Sequence, residues 1–228
     1  MMSIRFADRR EAGEQLAREL RSYAERPDVL VLALPRGGVP VGAVIARELR
    51  APLDVFIVRK LGLPGYEELA MGAIATGGVR ALNADVVENL RVPPTVLEQV
   101  SARELEEVAR RERAYRDGRP VPSVEGKTII LVDDGIATGS TMMAAIGSLR
   151  QLGAARIVVA TPVIALSTYP QMKRAADEVA AVLISDEFGG VGGFYEDFTQ
   201  TSDVEVRTLL SHAQASRAAD PETRPALG

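Results

Sequence analysis

The chain has no cysteine and a single histidine among its 228 residues. That excludes a disulfide framework and thiolate chemistry, and it leaves neither a histidine cage for a metal nor a histidine-based triad. Basic residues are not in excess. With a net charge of −4 and a pI near 5.3, the chain lacks the positive field that broad nucleic-acid affinity requires. No apolar run reaches the length of a bilayer span, and the opening Met-Met-Ser-Ile-Arg-Phe-Ala-Asp-Arg-Arg has no apolar stretch of a secretion signal. The expectation is a cytoplasmic protein without nucleic-acid or membrane partners. Internal repeats are missing, and His212 has no partner motif around it. Aromatics are few, five Phe and five Tyr, so their placement carries information.

What is present suffices for one sizeable core, since 46% of the residues are hydrophobic. Residues 11–23 put Ala12, Leu16, Leu20 and Tyr23 on one helical stripe. A continuous apolar run at 29–34 reads as a strand, followed by Pro35-Arg36-Gly37-Gly38 and a helix over 39–49. Residues 53–58 repeat the strand signal, with Arg59 and Lys60 at its end, where an open parallel sheet displays ligand-binding groups. The glycine-rich, weakly patterned 61–78 segment is expected to be a flap. Residues 95–116 carry Leu97, Val100, Leu105, Val108 and Tyr115 on one side of a long amphipathic helix, with glutamates and arginines on a solvated face.

Strand signals recur at 129–132, 156–163 and 181–185, separated by helices through Met142, Ile146, Leu149 and Leu152 and over 169–178. Alternating strands and helices predict an α/β fold: a doubly wound, mainly parallel sheet flanked by helices, with a small C-terminal hood. In domain terms, 1–24 is a helix packed on the core and 25–185 the α/β core. Residues 186–210 form the hood, which holds Phe188, Phe194, Tyr195 and Phe198, and 211–228, rich in Ala, Arg and Pro, form a flexible tail.

The most informative stretch is 128–143, Thr-Ile-Ile-Leu-Val-Asp-Asp-Gly-Ile-Ala-Thr-Gly-Ser-Thr-Met-Met. Ile129 to Val132 are too short and too apolar for an amphipathic helix and read as a strand buried on both faces, ending at Asp133 and Asp134. Gly135 and Gly139 allow a tight turn that frees the N–H groups of residues 137–141 to converge on an anion at the next helix start. The hydroxyls of Thr138, Ser140 and Thr141 add donors. The segment lacks the Gly-Lys-Thr/Ser ending of a nucleotide-triphosphate loop, and its paired acids would repel a polyphosphate. They suit sugar hydroxyls.

This string resembles the 5-phosphoribosyl-1-diphosphate (PRPP) signature of the type I phosphoribosyltransferase family. The resemblance implies that Asp133 and Asp134 face the ribose hydroxyls and help hold Mg²⁺, while Ala137, Thr138, Gly139, Ser140 and Thr141 hold the 5-phosphate. It makes Arg36 and Gly37 the pyrophosphate loop, with a cis peptide expected at Arg36-Gly37 or Pro35-Arg36. It sets Arg59 and Lys60 near the leaving pyrophosphate and Glu67 or Glu68 in the catalytic loop, with Glu68 nominated to manage protons. Phe188 and Tyr195, in the place of the family's hood, are nominated to stack on a planar acceptor.

The implied activity is transfer of the 5-phosphoribosyl group to a nitrogen of a small heterocyclic, nucleobase-like acceptor in nucleotide salvage, Mg²⁺-dependent, by a homodimer. Ala137 stands where 6-oxopurine enzymes carry an acid, so the string looks more like the adenine enzymes. The tail pattern Phe-Tyr-x-Asp-Phe at 194–198 is similar to a subgroup of undefined acceptor. A catalytically silent PRPP-sensing regulator is the alternative. A sugar-phosphate or nucleotide hydrolase would need a nucleophile or metal cage that the sequence does not offer.

Overall fold

The structure, a computed structural model, describes residues 5–218. Its centre is a five-stranded, all-parallel sheet in the order β2-β1-β6-β7-β8, formed by β1 (Val29–Ala33), β2 (Leu53–Val55), β6 (Thr128–Val132), β7 (Arg156–Ala165) and β8 (Glu178–Ser185). Beside it lies a three-stranded antiparallel sheet of β3 (Val58–Leu63), β4 (Tyr66–Ala75) and β5 (Arg80–Leu82).

Strand periodicity divides the core in two. Val29, Val31, Ala33, Ile130 and Val132 point to one face, where α1 (Arg9–Glu19), Leu20 at its end and α2 (Gly38–Leu49) cover them, the helices with Leu16, Val41, Ile45 and Leu49. Leu30, Leu32, Ile129 and Leu131 point to the other, against Met142, Ile146 and Leu149 of α5 (Ser140–Gln151) and Met172 of α6 (Tyr169–Ala175). Each such fully buried aliphatic side chain contributes about 1.5–3 kcal/mol by leaving water. Helices on both faces make the sheet doubly wound, as the alternation predicts.

The strand order reverses between β1 and β6, because the chain steps outward from β1 to β2 and later returns to the other side of β1. Loops leaving the carboxyl ends of two strands at such a reversal diverge and open a crevice. Here those loops are Leu34 to Gly37 and Asp133 to Gly139.

Three readings are corrected. The apolar run 53–58 is not one strand: β2 ends at Val55, Phe56 and Ile57 are buried at the junction, and β3 starts the antiparallel sheet at Val58. Phe56 N–H still donates to Ala33, whereas Ile57 N–H donates to Thr76 Oγ1, so the chain changes sheets between adjacent residues. The 61–78 segment, expected to be weakly patterned, is mostly paired as β3 and β4, joined at a turn with Gly65 at φ +83°. Finally, α7 (Asp203–Ala218) crosses the boundary expected between hood and tail and buries Val206 and Leu210 against the core. Residues 1–4 and 219–228 of the proposed N-terminal segment and tail lie outside the described residues.

The long helix α4 (Pro94–Arg116) is also less uniformly solvated than its charges suggest. Leu97, Val100, Val108 and Tyr115 are buried as expected, but Leu105 is 41% exposed while Glu104 and Arg116 are buried. Arg116 answers Asp54 of β2 at 3.0 Å, the Val55 carbonyl at 2.7 Å and Glu112 at 3.1 Å. Burial raises the Asp54 carboxyl, against the pull of Arg116. Among the described residues no helix is long and apolar enough to cross a membrane.

Candidate active site

The two loops at the strand reversal are fitted to each other through main chain. Leu34 N–H donates to the Val132 carbonyl at 2.8 Å, continuing the β1–β6 ladder past the strand ends. A Cβ on Gly38 would lie 2.6 Å from that same carbonyl oxygen, and a Cβ on Gly37 would lie 2.0 Å from Asp134 Oδ2. Only glycine permits this approach. The peptide between Pro35 and Arg36 is cis, one bond earlier than Arg36-Gly37.

Past Val132 the chain turns on Gly135, which lies against Val191, and reaches Gly139 at φ +74° as the N-cap of α5. No side chain caps α5, so the amides of its first turn have no capping acceptor, and Ala137, Thr138, Ser140 and Thr141 are exposed around them. Unpaired amides at the positive end of a helix dipole, beside three hydroxyls, form a receptor for a phosphate-sized anion. Thr168 Oγ1 donates to the Ala137 carbonyl and fixes the turn from outside.

The two carboxylates next to this receptor are not equivalent. Asp133 Oδ1 accepts the N–H of Asp134 at 2.9 Å. Burial, and then the charge of Asp134, push the Asp133 carboxyl well above the usual range. Asp134 is also raised by burial, but the Arg9 guanidinium opposes the shift, with Arg9 Nε at 2.8 Å from Asp134 Oδ2.

Other nominated residues sit elsewhere than expected. The Tyr195 ring is 3% exposed. It packs on Phe6 and Phe198 at centroid distances of 5.5 and 5.0 Å, and its hydroxyl donates to the Asp134 carbonyl at 2.6 Å. Burial raises its phenol. With both faces covered it offers no platform for an acceptor ring. Phe188 is half-buried against Phe194, with centroids 5.1 Å apart. Arg59 and Lys60 belong to β3, opposite Ile74 and Ala73, rather than to the edge of the parallel sheet. Arg59 Nε donates to Glu104 Oε2 at 2.8 Å, whereas Lys60 is exposed. The Arg36 guanidinium leans towards Asp203 at a long 3.8 Å, next to Tyr115, whose hydroxyl donates to the same carboxylate. Burial and that carboxylate push the Tyr115 phenol up to about 12. Glu68 lies in β4, and its side chain is outside the described residues.

Thus Gly37, Asp133, Asp134 and residues 137–141 come together at the reversal, while Tyr195 is withdrawn into packing. Sequence reasoning missed Arg9. A signal existed: Arg9 is the first residue of α1, where the helix dipole disfavours a cation, so an arginine there calls for an anion from elsewhere in the fold.

Comparison with known proteins identifies the family of the chain. A family model described as a phosphoribosyl transferase domain matches residues 8–199. Proteins from two strains of Mycobacterium tuberculosis, both provisionally named phosphoribosyl transferases, are 42% identical to this chain over 227 residues, covering 96% of it and 51% of each relative. The chain therefore spans about half the length of these curated relatives. The crystal structure of TT1426 from Thermus thermophilus superposes with a TM-score of 0.81 at 39% identity, covering 91% of this chain and 98% of that one.

Proposed function

Since the chain belongs to the phosphoribosyltransferase family, we propose that it transfers the 5-phosphoribosyl group of PRPP to a nitrogen of a nucleobase-like acceptor and releases pyrophosphate. One observation carries the reading: an uncapped helix start with exposed hydroxyls directly follows two carboxylates at the sheet's reversal point. The first turn of α5 takes the 5-phosphate, the acids at the end of β6 take the ring hydroxyls, and the amides of Arg36 and Gly37 are offered to the diphosphate, the Gly38 N–H being spent on the Leu34 carbonyl.

As the C1–O bond to pyrophosphate breaks and the acceptor nitrogen bonds to C1, positive charge grows on the sugar and negative charge on the leaving group. A carboxylate close to the sugar favours the first. Cations and amides around residues 35–38 favour the second. Arg36 lies within that turn, although its guanidinium is shared with Asp203, whereas Arg59 and Lys60 stand on β3 of the other sheet.

Mg²⁺ suits the oxygen donors here. Among the described residues no group of three or more His, Asp or Glu forms a cage, so the ion would be held by Asp133, with substrate oxygens and water completing its shell. When bound, it supplies charge neutralisation at the diphosphate. Of the two aromatics nominated for the acceptor, Phe188 is the one only partly buried.

A second reading, binding of PRPP without turnover, draws on the ion pairs that engage Arg36 and Arg59. Incubation with PRPP, Mg²⁺ and a panel of nitrogen heterocycles, following pyrophosphate, separates the two. Acceptor-dependent release supports transfer, PRPP binding with no release under any acceptor supports the sensor, and absence of PRPP binding removes both.

A further inference from the structure

Arg36 is the one charged side chain of the Pro35 to Gly38 turn, and its surroundings do not use it up. Its carbonyl accepts Val39 N–H at 3.1 Å, which fixes the residue at the start of α2, and its neighbour Gly37 makes room for the Asp134 carboxylate. The side chain therefore leaves from the wall of the crevice. A cation just ahead of a helix start is disfavoured by the helix dipole, so the guanidinium calls for an anion from another element. Asp203 supplies it.

Asp203 opens the first turn of α7, where the dipole favours a carboxylate. Ser202 Oγ accepts Glu205 N–H at 3.1 Å in that turn, and buried Val206 and Leu210 anchor the helix in the core. The chain leading into α7 lies at the sheet edge, because Arg9 bridges the Thr199 carbonyl, at 2.9 Å, and Asp134 Oδ2, at 2.8 Å. The Asp203 carboxylate is itself aimed by α4, where buried Tyr115 donates its hydroxyl to Oδ1 at 2.7 Å.

Arg36 Nη1 stands 3.8 Å from that same oxygen, close enough for the charges to attract and too far for a hydrogen bond. Among the described residues no hydrogen bond engages the guanidinium. It is steered by charge while its N–H donors stay unspent, and that is the condition in which a guanidinium receives a diphosphate without first breaking a bond.

We propose that Asp203 and Tyr115 are positioning residues for Arg36: Tyr115 holds the Asp203 carboxylate, and Asp203 steers the guanidinium so that it meets the diphosphate of PRPP with its donors free. This deepens the PRPP reading and rests on it. It adds α4 and α7 to a site otherwise built from strand ends, and it leaves the ribose and 5-phosphate subsites as described.

The test is calorimetric titration of PRPP, and separately of ribose 5-phosphate, with Mg²⁺ into wild type, Asp203→Asn, Tyr115→Phe, Arg36→Gln and the double variant Arg36→Gln/Asp203→Asn, each checked for folding by circular dichroism. Arg36→Gln should weaken PRPP about tenfold to a hundredfold, the scale of a hydrogen bond to a charged group. Asp203→Asn should weaken it about two- to fivefold, since the pair is partly exposed to solvent. Tyr115→Phe should act in the same direction. Ribose 5-phosphate, which has no diphosphate, should bind every variant as it binds wild type. In the double variant the change at Asp203 should add nothing to that at Arg36, because the two side chains act as one unit.

Tighter PRPP binding by Asp203→Asn would mean that the carboxylate competes for the guanidinium instead of steering it, and would overturn the proposal. So would wild-type affinity in folded Asp203→Asn, an equal loss for ribose 5-phosphate, or a further loss in the double variant. If Asp203→Asn does not fold, Tyr115→Phe decides: a loss confined to PRPP supports the proposal, and unchanged affinity or a loss for both ligands contradicts it. No PRPP binding by the wild-type protein removes the functional reading itself, an outcome distinct from all of these.

Discussion

The carboxyl edge of the parallel sheet and the antiparallel sheet β3–β5 are held by different forces. At the edge the fit depends on backbone: Gly38 pressed on the Val132 carbonyl, Gly37 making room for the Asp134 carboxylate, a left-handed Gly139, and amides left open at a helix start. The antiparallel sheet is fastened to α4 through side chains: Leu61, Met71 and Ile74 share the core with Leu97 and Val100, Arg59 meets buried Glu104, and Arg80 reaches Ser101 at 3.4 Å. Its hairpin carries Tyr66, 73% exposed, at the far end. A backbone-built site is rigid before substrate arrives, as phosphate binding needs. Beyond the packed base of the antiparallel sheet, the exposed hairpin has room to move, which is what excluding water from a reactive sugar calls for.

The comparison breaks most sharply at Asp133. Asp133→Asn should lower kcat/KM about a hundredfold or more, since it removes charge placed beside the developing cation. The same change should raise stability of the substrate-free protein at neutral pH. The Asp133 carboxyl is held above its ordinary value. The folded state therefore binds its proton more tightly than the unfolded one. The group is most favourable below the unfolded value of about 4, and its contribution is lost as pH rises through the folded value. Thermal unfolding against pH, wild type beside Asp133→Asn, checks this. The variant's advantage should grow from acid to neutral pH, and a gap that shrinks would contradict the assignment.

Gly139→Ala should cost about 2 kcal/mol or more. It forces a side chain into a left-handed backbone with its Cβ 2.8 Å from Met172 Cε and Thr168 Cγ2. Denaturant unfolding reads that cost. Phosphate affinity should fall further than the matched change at Gly65, which has φ +83° but open space around it. Equal effects at the two glycines would erase the distinction between site and flap.

The smallest effect is expected at Glu104. Glu104→Gln should cost about 1 kcal/mol in stability, since its partner Arg59 is 36% exposed and screened by solvent. Its functional signature is a rise in PRPP hydrolysis relative to transfer as the sheet's base loosens. An unchanged ratio would mean that the Arg59–Glu104 pair has no part in closure.

The two regions were not equally legible. The edge could be read because backbone demands particular residues at particular steps: glycine where another chain passes, acids at a strand end, small hydroxyl residues at a helix start. The doubly wound sheet followed from apolar runs alternating with helical stripes for the same reason. The antiparallel sheet was not legible as structure, because 53–58 is apolar throughout and nothing in it marks the change of sheet after Val55. Arg59 was assigned to pyrophosphate because its partner, Glu104, lies 45 residues away. Tyr195 was nominated for stacking because exposure is not written in a residue's type, and what buries it is Phe6, far along the chain.

The central claim is tested most directly by a crystal structure of the protein with PRPP and Mg²⁺. The account predicts the 5-phosphate on the amides of residues 137–141 and the ribose hydroxyls on the acids at the end of β6. PRPP bound away from the end of β6 would contradict it.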